Sequence, residues 1–186
     1  MLRTDKPIYK VILVLNLLLI VVGATVSLMD INGTNTLGLV YTVLDVLALL
    51  FALFYILYGY TKNAAGYYKT FGYLYLASRL ICAFKTFSGP INITANNSKL
   101  FNSVSICIII ALLLVLVFAK NLGKKKSLIL CGVIVAFEAI LFIIIYNEIG
   151  AFNLGAKLKL ADLDLACLYG ILTYAKYLDK TERGAK

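Results

Sequence analysis

Long apolar runs separated by short polar interruptions dominate the chain. The runs cover residues 8–29, 37–60, 68–87, 100–119, 127–147 and 158–178. Each is close to the ~20 residues a helix needs to cross a ~30 Å hydrocarbon core. The pattern predicts an all-α integral membrane protein of six transmembrane helices. Together they use most of the length, so residues 1–186 read as one membrane domain with short loops and no second, water-soluble unit.

The runs also recur in pairs. Lys10, Lys69 and Lys126 open the odd-numbered runs at intervals of 59 and 57, and Lys62, Lys120 and Lys176 close the even-numbered runs at intervals of 58 and 56. The closing segments Thr61-Lys62-Asn63, Ala119-Lys120-Asn121 and Ala175-Lys176-Tyr177 are alike. Three tandem helical hairpins account for this. Basic residues flanking every cytoplasmic end of an ordinary six-span protein account for it equally.

The charge pattern sets an orientation. With the N-terminus in the cytoplasm, thirteen basic residues fall on cytoplasmic segments, against four (Lys85, Lys99, Lys157 and Lys159) on the other side. By the positive-inside rule both termini are expected to be cytoplasmic. The net charge of +9 therefore reads as a topology signal and a match for anionic lipid heads at that face. It does not read as a nucleic-acid surface, since no basic-aromatic module is present. A composition of 62% hydrophobic and 15% charged residues, with a mean hydropathy of +0.92, also lies far from a soluble domain.

The connections agree with this topology. Residues 30–36 form a turn-rich outer loop, and Ser88-Gly89-Pro90 opens another that runs through Asn92, Asn96 and Asn97. Asn-x-Ser/Thr sites at Asn32, Asn92 and Asn96 fall on the outer side. In a secretory pathway they would be glycosylation acceptors. The Ile, Leu, Lys, Tyr and Asn bias favours a bacterial cytoplasmic membrane, where they carry no meaning. The first run resembles a signal peptide up to Val22-Gly23-Ala24, but it continues to Met29 and is needed for the pairing, so it is expected to remain.

Candidate chemistry rests on ionisable residues inside the runs. Arg79 lies near the middle of the third, Glu138 near the middle of the fifth, and Asp45 in the outer half of the second. Each costs roughly 2.5–3.5 kcal/mol to insert at mid-bilayer, so partners are expected. Depth pairs Arg79 with Glu138, and Asp45 competes. Such a pair either fixes helix register or lies on a proton or solute pathway.

Tyr68, Gly72, Tyr75, Arg79, Cys82 and Thr86 share one face of the third run, with Ser78 beside it, and that face is expected to point inward. Asp162, Ala166, Tyr169, Thr173 and Tyr177 form a second polar stripe in the sixth. Asp162 and Asp164 sit about 200° apart on a helix. They read either as caps of its outer end or as an acidic outer mouth that attracts cations. Asn16 is expected to make an interhelical hydrogen bond. The cytoplasmic-end tyrosines (Tyr55, Tyr58, Tyr60, Tyr67, Tyr68, Tyr73, Tyr75, Tyr174 and Tyr177) read as an interfacial belt, or as a stacking platform if the rings face the bundle.

Some classes are disfavoured. Cys82, Cys107, Cys131 and Cys167 are isolated and the chain has no His, so no metal or other cofactor is expected. There is no phosphate-binding loop, nucleophile elbow or zinc-protease motif, and an enzyme is not expected. In outline the chain is similar to the small bacterial six-span proteins of the HdeD acid-resistance type, built from tandem hairpins. Their helical glycines and their proline at the end of a repeat's first span are not matched here: the position reads Val26-Ser27-Leu28-Met29, and only Pro90 sits near such a place. No residue or activity is carried over.

The expected function is transport or sensing of a small solute or ion, with Arg79, Glu138, Asp45, Asp162 and Asp164 as pathway candidates. The alternative is a structural or accessory subunit whose polar stripes pack on a membrane-protein partner or a second copy of the chain.

Overall fold

The computed structural model describes residues 7–29, 36–58, 64–88, 97–119, 122–149 and 154–184. These residues form α1 (Pro7–Met29), α2 (Thr36–Tyr58), α3 (Ala64–Ser88), α4 (Asn97–Phe118), α5 (Lys124–Ile149) and α6 (Leu154–Gly184). The secondary structure of the described residues is all helical. Pro7 stands at the first position of α1, where its missing N–H breaks no bond and its fixed φ suits a helix. The glycosylation sites at Asn32, Asn92 and Asn96, and the closing lysines Lys62 and Lys120, lie outside the described residues.

Each helix packs against the next in the chain, and α6 closes the ring onto α1. Neighbours run antiparallel, as their contacts show. Tyr55 near the end of α2 meets Tyr68 near the start of α3, and Tyr73 meets Phe118 at the end of α4. Ser127 at the start of α5 meets Tyr177 late in α6, and Ile12 of α1 packs with Ala175 of α6. In addition, α6 touches α2 and α3 across the ring. The centre of the bundle is therefore built from α2, α3 and α6.

Polarity is distributed inside out. Val21 is 63% exposed, and Val11, Leu18, Phe84, Phe118, Ile129 and Ile143 join it on the outer surface. Arg79 is 1% exposed, and Asp45, Glu138 and Asp162 are equally buried. Water would favour the reverse arrangement, whereas a hydrocarbon solvent favours this one. Among the described residues, three helices carry stretches long and apolar enough to cross a membrane: Leu39–Leu57, Leu100–Phe118 and Lys124–Asn147. A shorter apolar run, Val11–Gly23, lies in α1.

Two close approaches depend on glycine. A Cβ on Gly72 of α3 would lie 3.1 Å from the Tyr169 hydroxyl and 3.2 Å from Val117, so the missing side chain lets α3 seat against α4 and α6. A Cβ on Gly23 of α1 would run into the Asp164 carboxylate of α6.

Candidate functional site

α3 brings Arg79 into the middle of the bundle because its polar stripe faces inward: Tyr68, Gly72, Tyr75 and Arg79 are all buried. The guanidinium meets carboxylates from three other helices. Its Nη1 lies 2.6 Å from Asp162 Oδ1 (α6) and 3.5 Å from Glu138 Oε1 (α5), and its Nη2 lies 3.8 Å from Asp45 Oδ1 (α2). Nη2 also donates to the Tyr41 hydroxyl at 2.7 Å and to Ser78 Oγ at 3.1 Å. The guanidinium lies near two rings, 5.2 Å from the centroid of Tyr41 and 5.5 Å from that of Tyr75, close enough for cation–π attraction.

The members are not held alike. Asp162 is the most tightly fixed. Its Oδ1 accepts from Tyr41 as well as Arg79, and its Oδ2 accepts from Lys159 at 3.1 Å. Asp45 accepts from Ser78 and lies at the edge of Arg79's reach. Glu138 has one long contact to Arg79, and its Oε2 is buried without a hydrogen-bond partner. The Tyr75 hydroxyl and Arg79 Nε are also buried without one. Buried polar groups are nearly always satisfied, so these three mark where the cluster is incomplete.

An aromatic layer lies on one side of the cluster. Tyr75 packs edge-on against Tyr169, Phe71 contacts both, and Tyr169 stacks on Tyr68 at 5.4 Å and 12°. The Tyr68 hydroxyl bonds Thr173 Oγ1 at 2.6 Å. Tyr68 and Tyr169 also line a cavity of about 340 Å³ at the end of the bundle where α3 begins and α6 ends. Arg79 does not line this cavity or its smaller neighbour. The helical rise places Asp162 ~10 Å from the level of Tyr169 and ~20 Å from that of Lys176.

Four of the five residues singled out from the sequence, Arg79, Glu138, Asp45 and Asp162, come together here. Asp164 does not. It faces α1 at Gly23, with Oδ2 buried and without a hydrogen-bond partner. The capping reading of Asp162 and Asp164 is corrected: α6 begins at Leu154, so both lie inside the helix. Lys159, assigned to the outer flank by its charge, is instead buried against Asp162 one turn away. Asn16 donates to the Ile12 carbonyl of its own helix at 2.8 Å rather than across to another. Tyr55, Tyr68 and Tyr75 are buried, so at these three positions the tyrosines face the bundle instead of forming a belt.

Tyr41 and Lys159 were missed as members of the site. Their signal was helical spacing: Tyr41 precedes Asp45 by four residues, and Lys159 precedes Asp162 by three.

Searches against protein-family models, curated proteins and solved structures returned no match for this chain.

Proposed function

We propose that this is a non-enzymatic protein that crosses a bacterial cytoplasmic membrane six times, with both termini cytoplasmic, and moves or senses a small ion. The site of uptake is the buried charge cluster. The supporting observation is its charge inventory: among the described residues, Asp45, Glu138 and Asp162 face two cations, Arg79 and Lys159. An uncompensated charge in so dry a place costs several kcal/mol. One further positive charge balances the cluster, and a proton suits the space because it needs only one oxygen. Glu138 is the natural acceptor, since Asp162 is claimed by both cations while Glu138 Oε2 has no partner.

The inside-out surface supports burying all six helices in lipid, including α3 and α6. Both are too rich in charge to stand out by hydropathy, but Arg79, Lys159 and Asp162 are paired with one another inside the bundle. The aromatic layer of Phe71, Tyr75 and Tyr169 stands between the cluster and the cavity at the bundle's end. That arrangement suits an occluded state, from which the ion is released when the layer parts.

The sealing of Arg79 favours a second reading, an accessory subunit in which the cluster only fixes helix register. Proton flux into proteoliposomes separates the two, measured for the wild type and Glu138→Gln with thermal unfolding alongside. Transport requires wild-type flux that falls to the level of empty vesicles in a Glu138→Gln protein of unchanged folding. Absence of wild-type flux, with a variant that is merely less stable, would leave the accessory role.

A further inference from the structure

The cavity at the end of the bundle has a chemistry of its own. It lies between α3, α4 and α6, and at about 340 Å³ it is at the lower end of the range for small-molecule sites. Lys69 and Lys176 stand on its wall, and none of the described residues lining it is acidic. A smaller space of about 130 Å³ shares Tyr68, Leu116, Ala119 and Lys176 with it and extends to Ser127 and Tyr177. The Lys176 ammonium sits 4.4 Å from the centroid of the Tyr68 ring, which anchors this cation at the cavity.

The opposite wall is apolar. Leu116, Val117 and Phe118 of α4 line it, and Tyr73 meets Phe118 at 5.7 Å, with both rings exposed on the outer surface. Two lysines therefore face an apolar wall that continues onto the exterior of the bundle. Lysine binds phosphate as a compact point charge, and tyrosine favours the headgroup level of a bilayer.

We propose that this cavity binds a phosphate-bearing anion, its charge between Lys69 and Lys176 and any apolar remainder along Leu116 and Phe118. Either the head of an anionic phospholipid or a free phosphate compound meets that description. The site is separate from the charge cluster and does not rest on proton uptake at Glu138.

The test uses the full chain in nanodiscs of neutral phosphatidylcholine. Short-chain phosphatidylglycerol is titrated in one arm and inorganic phosphate in the other, with binding read by native mass spectrometry and by thermal shift. Lys69→Gln/Lys176→Gln is compared with Lys125→Gln/Lys126→Gln, which removes the same charge from exposed positions outside both cavities. The cavity pair is expected to weaken binding by about 30-fold, about fivefold per lysine, with the control pair close to wild type. Phosphatidylglycerol binding alone assigns the site to a lipid head, and binding of inorganic phosphate assigns it to a free anion. No preference over phosphatidylcholine and no phosphate binding, or equal losses in the two double variants, would overturn the proposal.

Discussion

Replacing Arg79 with methionine is expected to destabilise the protein by about 3–5 kcal/mol, the usual cost of removing one partner from a buried ion pair. Among the described residues, the three carboxylates of the cluster would then be left with Lys159, and Tyr41 and Ser78 would lose the cation that organises them. Methionine fills similar space, so a packing defect is not the main term. The check is the unfolding midpoint in lipid-containing micelles. Adding Asp45→Asn and Glu138→Gln to Arg79→Met should recover much of the loss, because the carboxylate that remains, Asp162, is still paired with Lys159 and no unpaired charge is left in the cluster. A single variant as stable as the wild type would mean that the guanidinium does not hold the four helices together.

Asp162→Asn and Glu138→Gln each replace one carboxyl group of the cluster by an amide, yet they are expected to differ sharply. Asp162 binds both cations and Tyr41, and Lys159 sits in a pocket that Asp162 neutralises. Its loss leaves Lys159 buried and unpaired, at a cost of about 3 kcal/mol or more. Glu138 makes one long contact, and a glutamine can keep it, so about 1 kcal/mol or less is expected there. Parallel thermal or denaturant unfolding of the two variants decides this. Equal losses would mean that net charge, and not the geometry around Asp162, sets the stability of the cluster.

The contrast between these residues also explains what could be read from the sequence. The positions of the helices were legible because each long apolar run is continuous and bounded by polar, turn-forming residues, and each is a helix. The observed ends fall within about one turn of the expected ones except for the C-terminal extension of α6. The inward polar stripe of α3 was legible from helical spacing. The main partner of Arg79 was not, for a local reason. Starting the sixth helix at Leu158 put Asp162 in its first turn, where a carboxylate reads as a cap. The helix in fact starts at Leu154, one turn earlier, and Lys159 turns inward onto Asp162, so its charge marks no solvent boundary. Hydropathy counts both charges as costs and cannot see that they cancel.

Arg79 and Glu138 could be matched by depth, since depth follows from residue counting. Rotation about the helix axis does not follow so directly. That rotation gives Asp162 the closest contact and leaves Glu138 Oε2 without a partner. It also turns Asp164 away to Gly23, although Asp164 is only two residues from Asp162.

The most direct measurement on the cluster is hydrogen–deuterium difference infrared spectroscopy of the membrane-embedded protein near neutral pH. The wild type is compared with Glu138→Gln, and with Asp164→Asn as a reference carboxyl outside the cluster. If the cluster holds an exchangeable proton on Glu138, a deuterium-sensitive carboxylic-acid band will vanish in Glu138→Gln and persist in Asp164→Asn. If Glu138→Gln removes only carboxylate intensity and leaves every acid band in place, the cluster carries no such proton and proton uptake at this site is wrong.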